Sequence, residues 1–176
     1  MGKQYKALRD KDKEFISQQK LFYIASASEN EVNLSPKGYD TIQVLSENTL
    51  VFLDYPGSGN RTYRDAINDG EFTLLFNSFE EKAMILRLFC KARVVENESE
   101  DFYHYLEIFN EKESLVRNFF IFEIYALESS CGEGIPYMEY KGDRDSLKNW
   151  VVKMDETEKL ETYKKAHSTP PNIKNL

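Results

Sequence analysis

The segment of this chain best suited to chemistry is DYPGSGNRTYRDAINDG, residues 54–70, which lies between two predicted strands. Its loop contains Pro56, Gly57 and Gly59, which permit a tight turn that a ligand can approach closely. Arg61 follows where a helix is predicted to begin, and the positive end of a helix favours an anion. The loop also carries three short polar side chains: Ser58, Asn60 and Thr62. This combination favours phosphate binding, with bidentate contacts from Arg61; the alternative is a solvated strand-to-helix turn.

The helix after this loop has recognisable ends in the sequence. Asn60 or Thr62 can act as its N-cap, and Thr62 with Asp65 has the spacing of a capping box. Gly70 is predicted to end the helix at the C′ position, where glycine is common. Arg64, on the first turn, is a second candidate to assist in phosphate binding.

A second candidate segment is NLSPKGYD, residues 33–40. Lys37 directly follows a proline that ends a predicted strand, and Gly38 permits a turn. An ammonium group at this position can face a phosphate or an electron-rich ring. The alternative is a lysine that simply faces solvent after a strand.

Six segments have the composition or the alternation of β-strands. They are residues 21–28, 32–36, 49–55, 71–79, 83–96 and 117–131. The first two predict a hairpin, joined by a turn at residues 29–31. In the fifth, apolar residues such as Leu86 and Leu88 alternate with cations such as Arg87, which predicts one core face and one charged face. The sixth is apolar on both faces, so we expect it to be covered on both sides.

Helical spacing occurs at three further places. Residues 10–20 form the first candidate helix. Ser99 is the predicted N-cap of a second, and Asp143 or Asp145 can cap a third, which carries Leu147 and Trp150 on one stripe. Because the strands mostly follow one another with few crossover helices, the sequence predicts a mainly β, antiparallel barrel with flanking helices.

Composition limits the classes of function. The net charge of −7 argues against nucleic-acid binding, which needs a basic face. No apolar run approaches the roughly 20 residues of a membrane span, and the charged opening segment does not resemble a secretory signal. Cys90 and Cys131 are predicted to be free thiols of a reduced, cytoplasmic protein. Neither they nor the two histidines are spaced as metal ligands, so no metal site is predicted.

The segments NLSPKGYD, VFLDYPGSGNRT, EFTLLFNSFE and ILRLFCKARVV, in this order, resemble the pyridoxamine 5′-phosphate oxidase-related proteins of the FMN-binding split-barrel superfamily. The resemblance covers roughly residues 15–95, and SSCGEGIPYMEY with DRDSLKNW resembles a bacterial subgroup of that family. It implies a six-stranded antiparallel Greek-key split barrel with peripheral helices. A single domain over residues 1–176 would contain a barrel core at about 15–131 and a helical extension at about 143–166.

The resemblance also implies a site for flavin mononucleotide (FMN). The residues that would hold the FMN phosphate are Ser58, Asn60, Arg61 and Thr62. Leu53 and Asp54 would lie along the ribityl chain or the ring edge, and Arg87 would approach the flavin or the phosphate. The residues that would lie beside the isoalloxazine are Ser35, Pro36 and Lys37. In this family the flavin lies at a dimer interface, so a homodimer is implied, to which Cys131 and Gly132 are candidate contributors.

Several positions depart from the authentic oxidase. Val32 stands where that enzyme has an arginine, Thr62 replaces a lysine and Cys90 replaces a glycine. The C-terminal segment ETYKKAHSTPPNIKNL lacks the Arg-x-His pair that grips the pyridoxal substrate. Authentic pyridoxamine 5′-phosphate oxidation is therefore not the activity that the sequence favours.

Three functions remain open at this level. The first is an FMN-dependent oxidoreductase acting on an unknown small molecule, in which the cofactor supplies the redox chemistry. The second is a non-catalytic flavin-binding carrier, sensor or storage protein. The third is a related split barrel that binds haem or a deazaflavin; haem would need an axial histidine, and His104 is more typical of a half-exposed helix residue.

Overall fold

A computed structural model describes residues 2–28, 31–170 and 173, and its centre is one antiparallel sheet. The strands are β1 (Lys3–Tyr5), β2 (Phe22–Ser28), β3 (Glu31–Lys37), β4 (Ile42–Val44), β5 (Thr49–Asp54), β6 (Glu71–Asn77), β7 (Ile85–Val95) and β8 (Asn118–Ser130). Their order in the sheet is β3-β2-β6-β7-β8-β5-β4. On the edge of β8 that faces away from β7, β5 pairs with the first half and β1 with the second.

The predicted fold class, a mainly β, antiparallel split barrel with flanking helices, is confirmed, and the sheet forms a half-barrel. The predicted number of six strands is wrong, since the described part of the chain contains eight. All six predicted strands are present, with ends that differ by at most two residues. The two extra strands, β1 and β4, have three residues each. The predicted turn at 29–31 falls partly outside the described residues, because 29 and 30 are not among them.

Alternation along the strands divides the core into two clusters. Leu86, Leu88 and Cys90 of β7 are fully buried on one face, as the period of two predicted. On β8, Phe120 and Phe122 belong to the main cluster inside the half-barrel. The neighbouring residues of β8 point the other way, into a second cluster beneath a helix. Both faces of β8 are covered from Asn118 to Phe122, as the continuous apolar run predicted. Beyond this point Glu123 and Tyr125 are exposed, so the prediction is wrong for the second half of the strand.

Five α-helices flank the sheet in the described residues: α1 (Asp10–Gln18), α2 (Arg61–Ile67), α3 (Glu100–Phe109), α4 (Ser146–Glu156) and α5 (Leu160–Ala166). Ser99 caps α3 as predicted, since its hydroxyl accepts a hydrogen bond from the N–H of Phe102 at 3.2 Å. Asp145 lies at the N-cap of α4 but forms no side-chain cap bond. Among the described residues, no helix combines the length and the apolar character needed to cross a membrane.

The ends of α2 differ from the sequence-based prediction. Asn60 is the N-cap residue, but its side chain makes no cap hydrogen bond. The capping box of Thr62 and Asp65 is not formed, because Asp65 accepts hydrogen bonds from β2 instead. The left-handed residue after the helix is Asp69, with φ of 52°, and not Gly70. Glycine is needed at position 70 for space, since a Cβ there would lie 2.7 Å from the carbonyl oxygens of Ala27 and Asp65.

Candidate functional site

The two segments singled out in the sequence meet at one face of β3. The β2–β3 register places Glu31, Asn33, Ser35 and Lys37 on the face of β3 that continues the buried face of β2. The start of α2 lies against this face: Asn33 Nδ2 is 3.4 Å from Thr62 Oγ1, and Arg61 Nε is 2.6 Å from Glu31 Oε1. Ser35 lies between Asn33 and Lys37 on the same face, so β3 links the loop before α2 to Lys37.

Two arginines share the carboxylate of Glu31. Arg61 contacts one oxygen at 2.6 Å and Arg64 the other at 2.9 Å. The hydrogen bonds from Arg61 and then Arg64 hold the pKa of Glu31 below its usual range, so it stays ionised. Arg64 is also paired with the fully buried Asp65 at 2.7 Å. Two guanidinium groups are thus held side by side near the predicted phosphate loop, in a geometry that suits an oxyanion.

The loop before α2 has backbone donors to spare. The N–H groups of Ser58, Gly59 and Asn60 donate no hydrogen bond to the described residues. Gly57 and Gly59 do not have positive φ, and a Cβ at either position would meet no atom within 4 Å. Neither backbone strain nor crowding within the chain therefore requires these glycines. The loop has open space and free donors, and this fits the phosphate group of a nucleotide.

The other polar side chains of the loop have different surroundings. Ser58 is exposed to solvent. Asn60 is buried, and its Nδ2 donates to the carbonyl oxygen of Ser168 at 2.6 Å, which ties the loop to the residues after α5. Thr62 is 8% exposed and lies against Asn33. Of these three side chains, only that of Ser58 is openly available to a ligand.

Lys37 and Asp54 lie together in a partly buried ionic group. Lys37 Nζ is 3.6 Å from Asp54 Oδ1 and 5.1 Å from the centre of the Phe52 ring. Asp54 is only 4% exposed, and its other oxygen accepts hydrogen bonds from Arg117 at 2.7 and 2.8 Å. Arg117 also donates to the carbonyl oxygen of Gly57 at 3.3 Å, and so braces the loop. The group contains two cations and one anion, which leaves a net positive charge beside Lys37.

Sequence reasoning missed Arg117 and Glu31 as site residues. Arg117 is the last charged residue before the run of β8 that is apolar on both faces. This position is the feature of the sequence that could have identified Arg117 as a site residue. A cation at the entrance of a buried strand needs a nearby anion. Glu31 was assigned to a turn, and nothing in its local sequence indicates that it pairs with Arg61, which is distant along the chain.

An aromatic cavity of about 550 Å³ opens beside Lys37. Pro36 and Lys37 line it on one side, and the apolar side chains that line the rest include Tyr39, Phe79, Met138 and Tyr140. The hydroxyl of Tyr39 donates to the carbonyl oxygen of Arg144, so the segments after β8 close over the end of β3. Tyr39 and Asp40 both have positive φ, at 66° and 53°. This strained turn holds Tyr39 at the rim of the cavity.

Two of the predicted cofactor residues lie apart from this group. The side chain of Leu53 is 2% exposed and packs in the second cluster against α3, so only its backbone is near Asp54. Arg87 lies on the opposite, outer face of the sheet and three strands from β3, about 14 Å at the usual strand spacing. Within one chain, Arg87 and the phosphate loop are therefore not brought together.

Comparisons with known proteins fit this fold. The profile of the pyridoxamine 5′-phosphate oxidase family matches residues 8–145. A pyridoxamine 5′-phosphate oxidase family protein of Aspergillus flavus, ustO, is 32% identical over 148 residues, which are 81% of this chain and 59% of the relative. The chain thus spans less than two thirds of the length of that curated relative.

Solved structures show the same fold. A candidate pyridoxamine 5′-phosphate oxidase of Lactobacillus delbrueckii aligns with a TM-score of 0.57 at 16% identity, over 70% of this chain and 98% of that one. The FAD-binding protein of Mycobacterium smegmatis aligns with a TM-score of 0.50 at 12% identity, over 72% and 96%. Fold and site together define a split-barrel protein with a polar site at the ends of β3 and β5. This chain belongs to the pyridoxamine 5′-phosphate oxidase family.

Proposed function

We propose that this protein binds FMN and acts as an FMN-dependent oxidoreductase on a small molecule. The observation that carries the proposal is the meeting of the phosphate-type loop with the face of β3 that ends in Lys37. Membership of the pyridoxamine 5′-phosphate oxidase family supports a flavin as the cofactor. The Mycobacterium smegmatis protein is named as an FAD-binding protein. In this chain, a single phosphate-type loop with unused backbone N–H donors favours the mononucleotide.

Ser58, Arg61 and the backbone N–H groups of the loop are proposed to contact the phosphate, while Asn60 and Thr62 would hold the loop in position around it. Arg61 would contact the phosphate while Arg64 stays on Glu31 and Asp65. The ring would lie along Ser35, Pro36 and Lys37, where the aromatic cavity begins. The backbone of Leu53 and the carboxylate of Asp54 would border the ribityl chain, and Arg117 would hold Asp54 in place. When bound, FMN supplies the hydride or electron transfer.

We propose a homodimer with the flavin at its interface. Val32 and Leu34 on the outer face of β3 are 80% and 65% exposed, which is unusual for apolar strand residues. This face continues into a shallow depression lined by Ala25, Phe89 and Tyr125. A second subunit covering the face would also bring its own Arg87, which lies on the same outer face, toward the first subunit, and so add to a site that is open in one chain.

A non-catalytic flavin-binding protein is the second candidate function. The departures from the authentic oxidase within the matched region, at Val32, Thr62 and Cys90, favour it. Turnover separates the two candidates: the FMN-loaded protein is mixed with reduced nicotinamide cofactors and a panel of small organic donors, and oxygen consumption is followed. Sustained consumption supports the oxidoreductase, and its absence across the panel supports the carrier or sensor.

The binding site is tested by titrating the protein with FMN and with riboflavin, which lacks the phosphate, and following flavin fluorescence. Arg61→Gln should weaken FMN binding by about 1.5–3 kcal/mol, roughly 10- to 150-fold, because one charge-assisted hydrogen-bond donor is lost. Riboflavin binding should not change. The matched control is Arg93→Gln, which removes the same charge from an arginine that is 53% exposed on β7. FMN affinity that is equal in Arg61→Gln and in wild type would place the phosphate elsewhere.

A further inference from the structure

A small basic cavity lies at the end of the sheet where β1 meets β8. It has a volume of about 300 Å³, and four of its lining residues are cations: Lys3, Arg9, Lys11 and Lys82. No carboxylate is among its lining residues. In a chain with a net charge of −7, this concentration of positive charge is not a general property of the surface. It is a local feature that needs its own explanation.

Most of this charge is uncompensated. Arg9 is paired with the buried Asp12 at 2.7 Å. The side-chain ammonium groups of Lys3, Lys11 and Lys82 form no ion pair or hydrogen bond with any of the residues that the structure describes. The three lysines are exposed to solvent, and their positive charges around one small cavity would favour an anion between them. The cavity therefore carries a positive charge that an anionic ligand would balance.

A hydroxyl group also lines the cavity. Ser130 lines it, and its Oγ accepts a hydrogen bond from Arg87 Nη1 at 3.1 Å. Because this bond uses a lone pair of the hydroxyl, the hydrogen of Ser130 remains free to donate to a ligand. The charge of Arg87 is balanced by Glu128 at 3.5 Å, on the outer face of the sheet. Glu128 does not line the cavity, so it does not neutralise the three lysines, which can bind an anionic ligand.

We propose that this cavity binds the phosphate group of a small phosphorylated molecule. Three ammonium groups and one hydroxyl donor suit a tetrahedral dianion better than a carboxylate, which carries one charge and fewer acceptor oxygens. A volume of about 300 Å³ corresponds to the small end of ligand pockets and excludes a macromolecule as the direct occupant. The site is distinct from the loop proposed for FMN, since none of its lining residues belongs to that loop.

Cys131 gives the cavity a built-in reporter. It is exposed and lines the cavity, whereas Cys90 is 0% exposed. Alkylation of the native protein should therefore modify Cys131 alone. Iodoacetate and iodoacetamide are nearly equal in size but differ by one negative charge, so the ratio of their rates measures the potential in the cavity. Mass spectrometry of the modified peptide confirms the position.

The test compares wild type with Lys3→Gln/Lys11→Gln/Lys82→Gln. The iodoacetate to iodoacetamide rate ratio should fall roughly tenfold in this variant at low ionic strength, and the difference should shrink as salt is added. Inorganic phosphate and glycerol 3-phosphate should each protect Cys131 of the wild type in a saturable way, and should not protect the variant. The control, Lys6→Gln/Lys141→Gln/Lys153→Gln, removes the same charge from exposed lysines outside the cavity and should behave as wild type.

The two phosphate probes separate the sources of the ligand. Tighter protection by glycerol 3-phosphate indicates an organic phosphate ester, whereas equal protection indicates that the phosphate group alone is recognised. The proposal is overturned if the rate ratio is the same in the wild type and the cavity variant, if the control lowers it equally, or if acetate protects as well as phosphate. Protection by stoichiometric FMN would instead assign the cavity to the flavin phosphate, and would contradict the proposed role of Arg61.

Discussion

At the scale of single residues, Asp65 illustrates how tertiary contacts change the role of a residue. Its position three residues after Thr62 predicted a capping box, which is a local device. In the structure its side chain is fully buried and accepts hydrogen bonds of 2.6 Å from both Ser26 and Ser28 of β2. Arg64 completes the set at 2.7 Å. Asp65 therefore attaches α2 to the sheet and sets the position of the loop before it.

We expect Asp65→Asn to lower the free energy of unfolding by about 3 kcal/mol, because breaking a buried ionic group leaves its partners uncompensated. Urea denaturation followed by circular dichroism measures this value. The control is Asp101→Asn, whose partner Arg93 is at 3.3 Å in an exposed pair, and exposed pairs contribute at most about 1 kcal/mol. Equal effects of the two substitutions would show that the Asp65 contacts do not attach α2 to the sheet.

At the scale of elements, the sequence predicts long periodic segments well and short or context-dependent ones poorly. The alternation in β7 and the continuous apolar run in β8 identify these strands, because the spacing of apolar residues along a strand reflects which of its faces are buried. Strand β1 has the composition Lys-Gln-Tyr and becomes a strand only because β8 offers it an edge. The same limit applies to the site: the residues of the phosphate-type loop are evident, but the contacts of Asp54 with Arg117 join residues 63 positions apart.

The start of α1 is an element whose stability should depend on pH. Asp12 caps the start of α1, because its carboxylate accepts hydrogen bonds from the backbone N–H of Arg9 at 3.0 Å and from the guanidinium of Arg9 at 2.7 Å. Burial alone would raise the pKa of Asp12, but the hydrogen bonds from Arg9 outweigh it and hold the pKa below its usual range. The cap positions Phe15 and Ile16, which α1 contributes to the core.

We expect Asp12→Asn to lower the free energy of unfolding at pH 7 by about 1–3 kcal/mol. Because the pKa of Asp12 is lower in the folded state, its contribution is complete above the unfolded value of about 3.9 and is lost as the pH falls through the folded pKa. The difference in the free energy of unfolding between wild type and variant should therefore disappear below about pH 4. Urea denaturation at a series of pH values measures this difference. A constant difference down to pH 2.5 would contradict the role given to the ionised carboxylate.

At the scale of the whole molecule, the outer face of the half-barrel is only partly covered. The inner face holds the main cluster, on which α1 and α2 pack, and α3 covers the second cluster on the outer face beside β5 and β8. At the other end of the outer face, Val32 and Leu34 extend from the edge strand β3, and Phe89 lines the depression beside them. An exposed apolar edge strand is a hazard for a monomer unless another surface covers it. A second copy of the chain, as in the proposed homodimer, would cover this face.

Leu34→Glu tests this assembly, because a buried carboxylate without a partner would oppose the packing of two apolar faces. Light scattering after size exclusion should give about twice the chain mass of 20.6 kDa for the wild type and about one chain mass for the variant. FMN binding should weaken together with dissociation, since the second subunit contributes to the proposed site. The control is Ile108→Glu on α3, which is 40% exposed and lies away from this face, and should leave mass and affinity unchanged. A wild type of one chain mass that binds FMN tightly would show that one half-barrel suffices for the flavin.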